Sequence, residues 1–211
     1  MSVAGGGRIT ATVIHRLGSV MRLGVYGGTF DPVHTAHVVV AAEVRTVLGL
    51  DEVLLVPAGD PWQKAGQVVA SKLHRAEMCE LAVAGIDGLA VSRVEIERSG
   101  PSVTADTLEA LSGPDRALTL ILGTDAAANM STWRRLEETR ELATIVVVER
   151  DGEHAMPPGP EWDFVRVPIP RLDVSSSDLR ARLADGRPVD GLIPPTVVQF
   201  IRRYDLYTPA P

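Results

Sequence analysis

Two histidines stand close together near the start of the chain, shortly after a pair of glycines. Gly27 and Gly28 follow a short apolar segment, and His34 and His37 come next, where a helical pattern begins. Three residues apart in a first helical turn, the two imidazoles can face the same side. The free N–H groups of a helix N-terminus bind phosphate, and nearby imidazoles can donate hydrogen bonds to phosphoryl oxygens. This run therefore predicts a phosphate site.

Other interpretations of the same run are weaker. Its glycines match neither the G-x-G-x-x-G fingerprint of dinucleotide-binding proteins nor the P-loop, because no Lys-Ser/Thr pair follows. The two histidines also have the spacing of half a metal site, but Asp31 is the one further candidate ligand nearby. We therefore expect no metal ion held by protein side chains.

A second run of chemically useful residues lies near the C-terminus. Ser175, Ser176 and Ser177 are followed by Asp178 and Arg180. Ser175 with Asp178 is a capping-box pattern, which predicts a helix N-terminus. Ser176 and Ser177 then share a helix face with Arg180, so hydroxyls, free N–H groups and a guanidinium converge there. The pattern predicts a second phosphate clamp.

Strands alternate with helices along the chain, and both runs follow strands. The predicted strands are 22–26, 53–56, 89–94, 118–122, 145–148 and 164–167. The predicted helices are 36–48, 71–84, 104–111, 133–142, 176–184 and 195–203. This alternation predicts one doubly wound α/β domain, a parallel sheet with helices on both faces. Ligands of such sheets bind at the carboxyl ends of the strands, which is where the two runs fall.

Two stretches are expected to lie outside this framework. Residues 1–20 contain three adjacent glycines and no acidic residue, and lack the apolar stretch of a signal peptide. We expect a flexible extension there, with the domain spanning 21–211. The stretch 151–161 is rich in Gly and Pro and is interpreted as a loop within the domain.

Composition narrows the class of protein. The 211 residues are 45% apolar and 23% charged, as in a chain that folds around a core. A net charge of −6 argues against nucleic-acid binding, which depends on basic surface. Cys79 is the only cysteine, which rules out a disulfide framework, and no apolar run approaches the roughly 20 residues of a membrane span. We expect a cytoplasmic protein with neither nucleic acid nor membrane as partner.

The two runs resemble the motifs of a known superfamily. GGTFDPVHTAH, residues 27–37, is similar to the HxGH-type signature of the nucleotidylyltransferases, with Ala36 where the family usually has Gly. Residues 174–180 resemble its ISSTxxR motif, with Val for Ile and Ser for Thr. The resemblance implies a Rossmann-like fold, with His34, His37 and Arg180 as catalytic residues. It implies that ATP is bound by Gly27, Gly28, Thr29, Phe30, His34, His37, Ser175, Ser176, Ser177 and Arg180.

Further segments resemble the nicotinate-mononucleotide adenylyltransferase branch. They are Pro61–Lys64, His74–Arg75, Ser102–Leu108 and Gly123–Asp125 with Trp133 beyond it. The resemblance implies an acceptor pocket formed by Lys64, Thr104, Thr107, Asp125 and Trp133. Each of these residues also has an ordinary structural explanation. Lys64 can be a solvated charge, one of the two threonines a helix cap, Asp125 an acid in a first helical turn and Trp133 a core residue.

The activity that this resemblance implies is adenylyl transfer from ATP to nicotinate mononucleotide, giving deamido-NAD and pyrophosphate in NAD biosynthesis. Mg²⁺ is then expected mainly on the ATP phosphates, since it keeps waters and uses few protein ligands. Nicotinamide mononucleotide or another phosphate ester stays open as acceptor. A ring carboxylate would need backbone N–H groups or a cation such as Arg134. Ala36 is the one hint of a non-catalytic nucleotide sensor, and a homo-oligomer also stays open.

Overall fold

The computed structural model describes residues 20–64, 66, 68–150 and 163–208, without the side chains of Lys64 and Arg150. The stretch 151–161 and all of the expected N-terminal extension except Val20 lie outside this part. The strands are β1 (Met21–Gly28), β2 (Glu52–Pro57), β3 (Leu89–Val91), β4 (Arg116–Gly123), β5 (Ala143–Arg150) and β6 (Val165–Ile169). The helices are α1 (Thr35–Leu48), α2 (Lys72–Val83), α3 (Val94–Glu97), α4 (Thr104–Leu111), α5 (Thr124–Ala128), α6 (Leu136–Leu142), α7 (Ser176–Ala184) and α8 (Pro195–Arg203).

The six strands form one parallel sheet in the order β3-β2-β1-β4-β5-β6. β1 is central, with Val25 in register with Leu54 on one side and Leu120 on the other. The chain runs outward from β1 to β3 and then crosses back to β4, so the direction of winding reverses between β1 and β4. A crevice at the carboxyl ends of these two strands is where such sheets bind ligands. The prediction of a doubly wound sheet is confirmed.

Alternate residues of the strands bury into two hydrophobic clusters, one on each face of the sheet. Ile145 and Val147 of β5 join the cluster that packs with α4, whereas Val146 and Val148 join the cluster of α1, α2 and α8. Strands buried on both faces appear in sequence as continuous apolar runs, as here. Gly24 of β1 is needed for the second cluster, because a Cβ there would lie 2.8 Å from the side chain of Val53.

The sequence explains where several helices begin and end. The hydroxyl of Ser175 accepts a hydrogen bond from the Asp178 N–H at 3.1 Å, so it caps α7 as the pattern predicts. Gly49 ends α1 in the left-handed region, at φ 61°, where glycine carries no steric penalty. Pro195 occupies the first turn of α8, where its missing N–H costs nothing.

The structure differs from the predicted elements in short segments. The predicted strand 89–94 ends at Val91, and Val94 instead opens the four-residue helix α3. Helix α5 was not expected, and α6 begins at Leu136, after a 3₁₀ turn at Met130–Thr132. Isolated helices this short are unstable, so their formation depends on packing against the sheet. The hydrophobic periodicity of the sequence therefore does not predict them. Within the described ranges, no helix has the length and apolar character to span a bilayer.

Candidate active site

A groove runs along the carboxyl edge of the sheet, across the point where the winding reverses. It consists of three adjoining chambers. The central chamber, about 930 Å³, is lined by Gly27, Gly28, Thr29, His37, Gln63, Asp125 and Trp133, among others. The histidine chamber, about 270 Å³, is lined by residues that include His34, His37, Asp125, Ile169 and Ser175. The tryptophan chamber, about 210 Å³, is lined by residues that include Trp62, Glu95, Thr104, Thr107 and Trp133. Shared lining residues join the three chambers.

The two histidines of the first run lie together, as the sequence predicts. His34 precedes α1 with an extended backbone, and His37 lies in its first turn. Their rings stack with centroids 3.6 Å apart. Both line the histidine chamber, and His37 also faces the central one. The pair therefore stands at the junction between the two chambers, beside the N-terminus of a 14-residue helix.

A hydrogen bond defines which nitrogen of His37 can serve a ligand. The backbone N–H of His34 donates to Nδ1 of His37 at 3.2 Å. Because Nδ1 is an acceptor, the neutral imidazole carries its proton on Nε2. That N–H is a donor suited to a phosphoryl oxygen. The cap that begins α1 thus also sets the tautomer needed at the groove.

Phe30 packs against His37, and its side chain does not face the groove. Its ring is buried and contacts His37 edge-on, with centroids 4.9 Å apart. Gly28 makes room for it, since a Cβ there would lie 2.8 Å from the Phe30 ring. Phe30 adopts φ 51°, which is uncommon for a residue with a side chain. Gly27, Gly28 and Thr29 line the central and tryptophan chambers, and a nucleotide contact of Phe30 stays a prediction for its backbone.

The second run packs directly against the first. Arg180 donates through Nη1 to the Asp31 carbonyl at 2.7 Å and through Nη2 to the Ser177 hydroxyl at 3.3 Å. The Ser176 hydroxyl donates to the Pro32 carbonyl at 3.0 Å. Ser175 caps α7 and lines the histidine chamber. The two runs therefore form one wall, and the binding of phosphate by that wall stays a prediction.

Thr104, Thr107 and Trp133 meet in the tryptophan chamber as predicted. Thr107 is buried, and its hydroxyl donates to Glu95 at 2.6 Å, so this threonine orients a carboxylate. Asp125 lies in the first turn of α5 and faces the central and histidine chambers instead. The side chain of Lys64 lies outside the described part of the chain. The acceptor roles of these residues stay predictions.

Sequence reasoning missed two side chains that line the tryptophan chamber. Glu95 accepts hydrogen bonds from Thr107 and, at 3.4 Å, from the Gly59 N–H. Gln63 donates to the Thr132 hydroxyl at 3.0 Å and so links the two turns that border the groove. Gln63 lies within the segment Pro61–Lys64 already noted, where only Lys64 was given a role. Glu95 directly follows the predicted strand 89–94, and this position at the carboxyl end of a strand is the signal that could have found it.

Arg75 is a buried brace between the loops that follow β1 and β2. It is 1% exposed, and it donates to the Thr29 carbonyl at 2.7 Å and the Ala58 carbonyl at 2.6 Å. Burial lowers the pKa of this guanidinium, while the Asp31 carboxylate acts in the opposite direction. The sequence offers one indication of this role, which is an arginine on the face of helix α2 that packs toward the core. The brace holds the groove's backbone walls at a fixed separation.

Replacing Arg75 with methionine is expected to lower the free energy of unfolding by about 3 kcal/mol. Two buried carbonyls would lose charged donors, each bond of this kind contributing roughly 1.5–3 kcal/mol. Urea denaturation measures the loss. Arg140→Met is the control, because Arg140 is exposed and a change within about 0.5 kcal/mol is expected there. Equal stability of the two variants would show that the carbonyls of Thr29 and Ala58 find other donors.

The described residues include no cluster of three or more His, Cys, Asp or Glu arranged to hold a metal ion. Of the described residues lining the groove, two are carboxylates. Glu95 is engaged by Thr107 and Gly59, whereas Asp125 is exposed in the central chamber. One exposed carboxylate suits Mg²⁺ that is held chiefly by substrate phosphates and water.

Comparison with known proteins identifies relatives of this chain. A model of the cytidylyltransferase-like family matches residues 25–182. A Nocardioides sp. protein described as a "probable nicotinate-nucleotide adenylyltransferase" is 46% identical over 187 residues, which cover 86% of this chain and 91% of that one. A protein of the same description from Corynebacterium kroppenstedtii is 44% identical over 194 residues, covering 90% and 92%.

The fold is also found among solved structures. Plasmodium falciparum nicotinic acid mononucleotide adenylyltransferase complexed with NaAD matches with a TM-score of 0.72. The match covers 88% of this chain and 97% of that one at 21% identity, so it shows a common fold. Taken with the sequence relatives and the family match over residues 25–182, it leads to one conclusion: the chain belongs to the cytidylyltransferase-like family, among the nicotinate-nucleotide adenylyltransferases.

Proposed function

We propose that the chain transfers the adenylyl group of ATP to nicotinate mononucleotide, releasing pyrophosphate and forming deamido-NAD. The observation that carries this proposal is the continuous groove, with a stacked histidine pair and a helix N-terminus at one end and an aromatic chamber at the other. One end suits a triphosphate and the other an aromatic ring. The names of the sequence relatives support the same activity.

The triphosphate of ATP would lie against the wall formed by the two runs. The N-terminus of α1 presents N–H groups beside His34 and His37, and the α7 N-terminus does the same beside Ser177 and Arg180. Helix N-termini and charge-assisted donors are the groups that bind phosphate oxygens best. The backbone of Gly27–Thr29 would form the adjoining floor, since these residues line the central chamber.

The reaction balances without a protein nucleophile. A phosphate oxygen of the mononucleotide forms a bond to the α-phosphorus of ATP while the bond from that phosphorus to the bridging oxygen breaks, and pyrophosphate leaves. The protein positions the two reactants and stabilises the charge that grows on the phosphoryl and leaving oxygens. His37 donates from Nε2 and Arg180 from its guanidinium. Asp125 is the groove carboxylate that would contact the water shell of Mg²⁺ bound to the phosphates, an ion that would neutralise part of their charge.

The acceptor ring would lie in the tryptophan chamber beside Trp133. Trp62 lies on the same chamber, and the guanidinium of Arg134 stacks 4.8 Å from its ring centre. A nicotinate carboxylate is stabilised when it lies toward this cation and away from Glu95. Glu95 accepts hydrogen bonds from Thr107 and from the Gly59 N–H. These bonds reduce the electrostatic repulsion between the Glu95 carboxylate and an acidic ring.

A second acceptor, nicotinamide mononucleotide, has one observation in its favour. Glu95 is a buried carboxylate on the chamber wall, and a carboxamide N–H₂ can donate to it whereas a carboxylate cannot. The two acceptors therefore differ in the charged side chain that they would use, which is Arg134 on the Trp62 ring for the carboxylate and Glu95 of the chamber wall for the carboxamide.

Pyrophosphate release from ATP and Mg²⁺ tests the proposal, with the two mononucleotides assayed side by side. Fast release with nicotinate mononucleotide and slow release with the amide is the expected result. The reverse preference would select the second acceptor. Binding of ATP without release in either assay would overturn both mononucleotides as acceptors and favour another phosphate ester or a nucleotide sensor. A cytoplasmic location, the expected lack of nucleic-acid or membrane partners and the state of oligomerisation stay predictions.

Trp133→Ala is expected to raise KM for the mononucleotide by about tenfold and to leave KM for ATP unchanged. Removing one aromatic stacking partner costs roughly 1–3 kcal/mol. Steady-state kinetics with each substrate varied in turn measure both constants. Leu136→Ala is the control, because Leu136 packs on the same cluster from the next helix without lining the tryptophan chamber. Parallel changes in the two variants would assign Trp133 to the core alone.

A further inference from the structure

The Asp31 carboxylate sits beneath the first run and is fully engaged, although the catalytic proposal gives it no role. It is 2% exposed and accepts three hydrogen bonds. Two come from backbone N–H groups ahead of α2, Val69 at 2.7 Å and Ala70 at 3.1 Å. The third comes from the hydroxyl of Tyr207 at 2.7 Å. Tyr207 is 176 positions away in the chain, so this bond joins the C-terminal tail to the loop after β1.

Tyr207 is held in an unusual conformation to make this contact. The tail turns back after α8, and Asp205 and Tyr207 both adopt positive φ, at 48° and 65°. Bulky residues rarely occupy this region, and such outliers persist where the surrounding structure requires them. The Tyr207 side chain is 7% exposed, and burial, with the Asp31 carboxylate beside it, raises the pKa of its hydroxyl. The hydroxyl therefore stays protonated and keeps donating.

The main chain of Asp31 contacts the wall that the two runs form. The carbonyl of Asp31 accepts from Arg180 at 2.7 Å, and the next carbonyl, that of Pro32, accepts from Ser176 at 3.0 Å. His34 follows two residues later. A rotation of Asp31 would therefore shift both the guanidinium of Arg180 and the start of α1. The Asp31 side chain is tied to the tail while its main chain is tied to the groove.

We propose that Tyr207 is a positioning residue for adenylyl transfer, acting through the Asp31 carboxylate on the placement of His37 and Arg180. This inference rests on the proposed function, since the groups it places are those assigned to the ATP phosphates. It assigns a role to the C-terminal tail, which neither phosphate motif includes. The hydroxyl touches no reacting atom, so its loss misplaces the phosphate contacts without removing any of them.

Tyr207→Phe tests the role, because it removes the hydroxyl and keeps the buried ring. Misplacement of reacting groups by a fraction of an ångström is expected to lower kcat by about tenfold, with KM for ATP within about twofold. Tyr204→Phe is the matched control, the same change in the same tail at a ring that packs on His74 and Phe200. It is expected to leave kcat unchanged. Equal kcat in the two variants would overturn the proposal, as would a loss of kcat fully accounted for by unfolding at the assay temperature.

Two further readouts separate this role from the proposed function. Asp31→Ala combined with Tyr207→Phe is expected to lower kcat no further than Asp31→Ala alone, because Asp31→Ala already removes the acceptor of the Tyr207 hydroxyl; additive losses would contradict the proposal. Hydrogen exchange of the Val69 and Ala70 amides is expected to accelerate in Tyr207→Phe and not in Tyr204→Phe. If the wild-type chain releases no pyrophosphate, the proposed function fails, and the exchange result still decides whether Tyr207 holds Asp31 in place.

Discussion

Replacing His37 with alanine is expected to lower kcat by about 100- to 1,000-fold while changing the Kd for ATP far less. In the proposed reaction the Nε2 donor would face charge that grows only as the α-phosphorus reacts, so its loss is expected to raise the barrier more than it weakens the ground state. Removing one preorganised donor of this type costs roughly 2.7–4 kcal/mol. Single-turnover pyrophosphate release gives the rate, and equilibrium titration with ATP gives the affinity.

His37→Asn separates the two things that this imidazole does. Nδ1 accepts the His34 N–H at 3.2 Å and caps α1, whereas Nε2 is the nitrogen proposed to donate to phosphate. An asparagine offers an amide oxygen close to the position of Nδ1 but no donor at the position of Nε2. It is expected to unfold at the same temperature as wild type and to be as slow as the alanine variant. Wild-type rates in His37→Asn would return His37 to a capping role, and equal losses in rate and ATP affinity for alanine would remove its transition-state role.

The framework of the fold could be predicted because its signals are local and strong. Parallel strands covered on both faces must be apolar throughout, so runs such as 145–148 stand out from the amphipathic helices around them. The short helices could not be predicted in the same way. Helix α3 has four residues and α5 has five, and in both the sheet and its loops supply the stability that the segment lacks.

The residues of the candidate site also fall into those that local sequence predicts and those that it does not. His34 with His37, and Ser177 with Arg180, are neighbours in one helical turn, so spacing alone predicted that they would act together. The partners of Asp31 and Arg75 are far away in the chain and depend on how loops meet across the groove. Buried polar groups must be satisfied by something, but the sequence does not say by what. The groups that brace the site were therefore missed, while the groups proposed to bind the ligand could be named from local spacing.

Arg180→Met is expected to lower kcat/KM for ATP by about 100-fold or more. A guanidinium can bind the Asp31 carbonyl, the Ser177 hydroxyl and a phosphate oxygen at once, because its donors point in fixed, separate directions. Methionine keeps an unbranched apolar side chain similar to the arginine stem but removes all of these bonds together with the charge. Such a loss corresponds to about 2.7 kcal/mol of transition-state stabilisation, at about 1.4 kcal/mol for each tenfold change.

Two companion variants assign that loss to the phosphate and not to the fold. Arg182→Met removes an arginine of the same helix that pairs with Asp178 of that helix at 2.7 Å, whereas Arg180 donates to the first run, so kcat/KM is expected to stay within about twofold. Arg180→Lys keeps a positive charge but not the fork, and about a tenfold deficit is expected to remain. Full activity in the lysine variant would mean that charge alone suffices and that the bond to Asp31 is dispensable. Equal deficits for lysine and methionine, with unfolding temperatures unchanged, would instead place the whole effect in the forked contact, which is what ties the second run to the first.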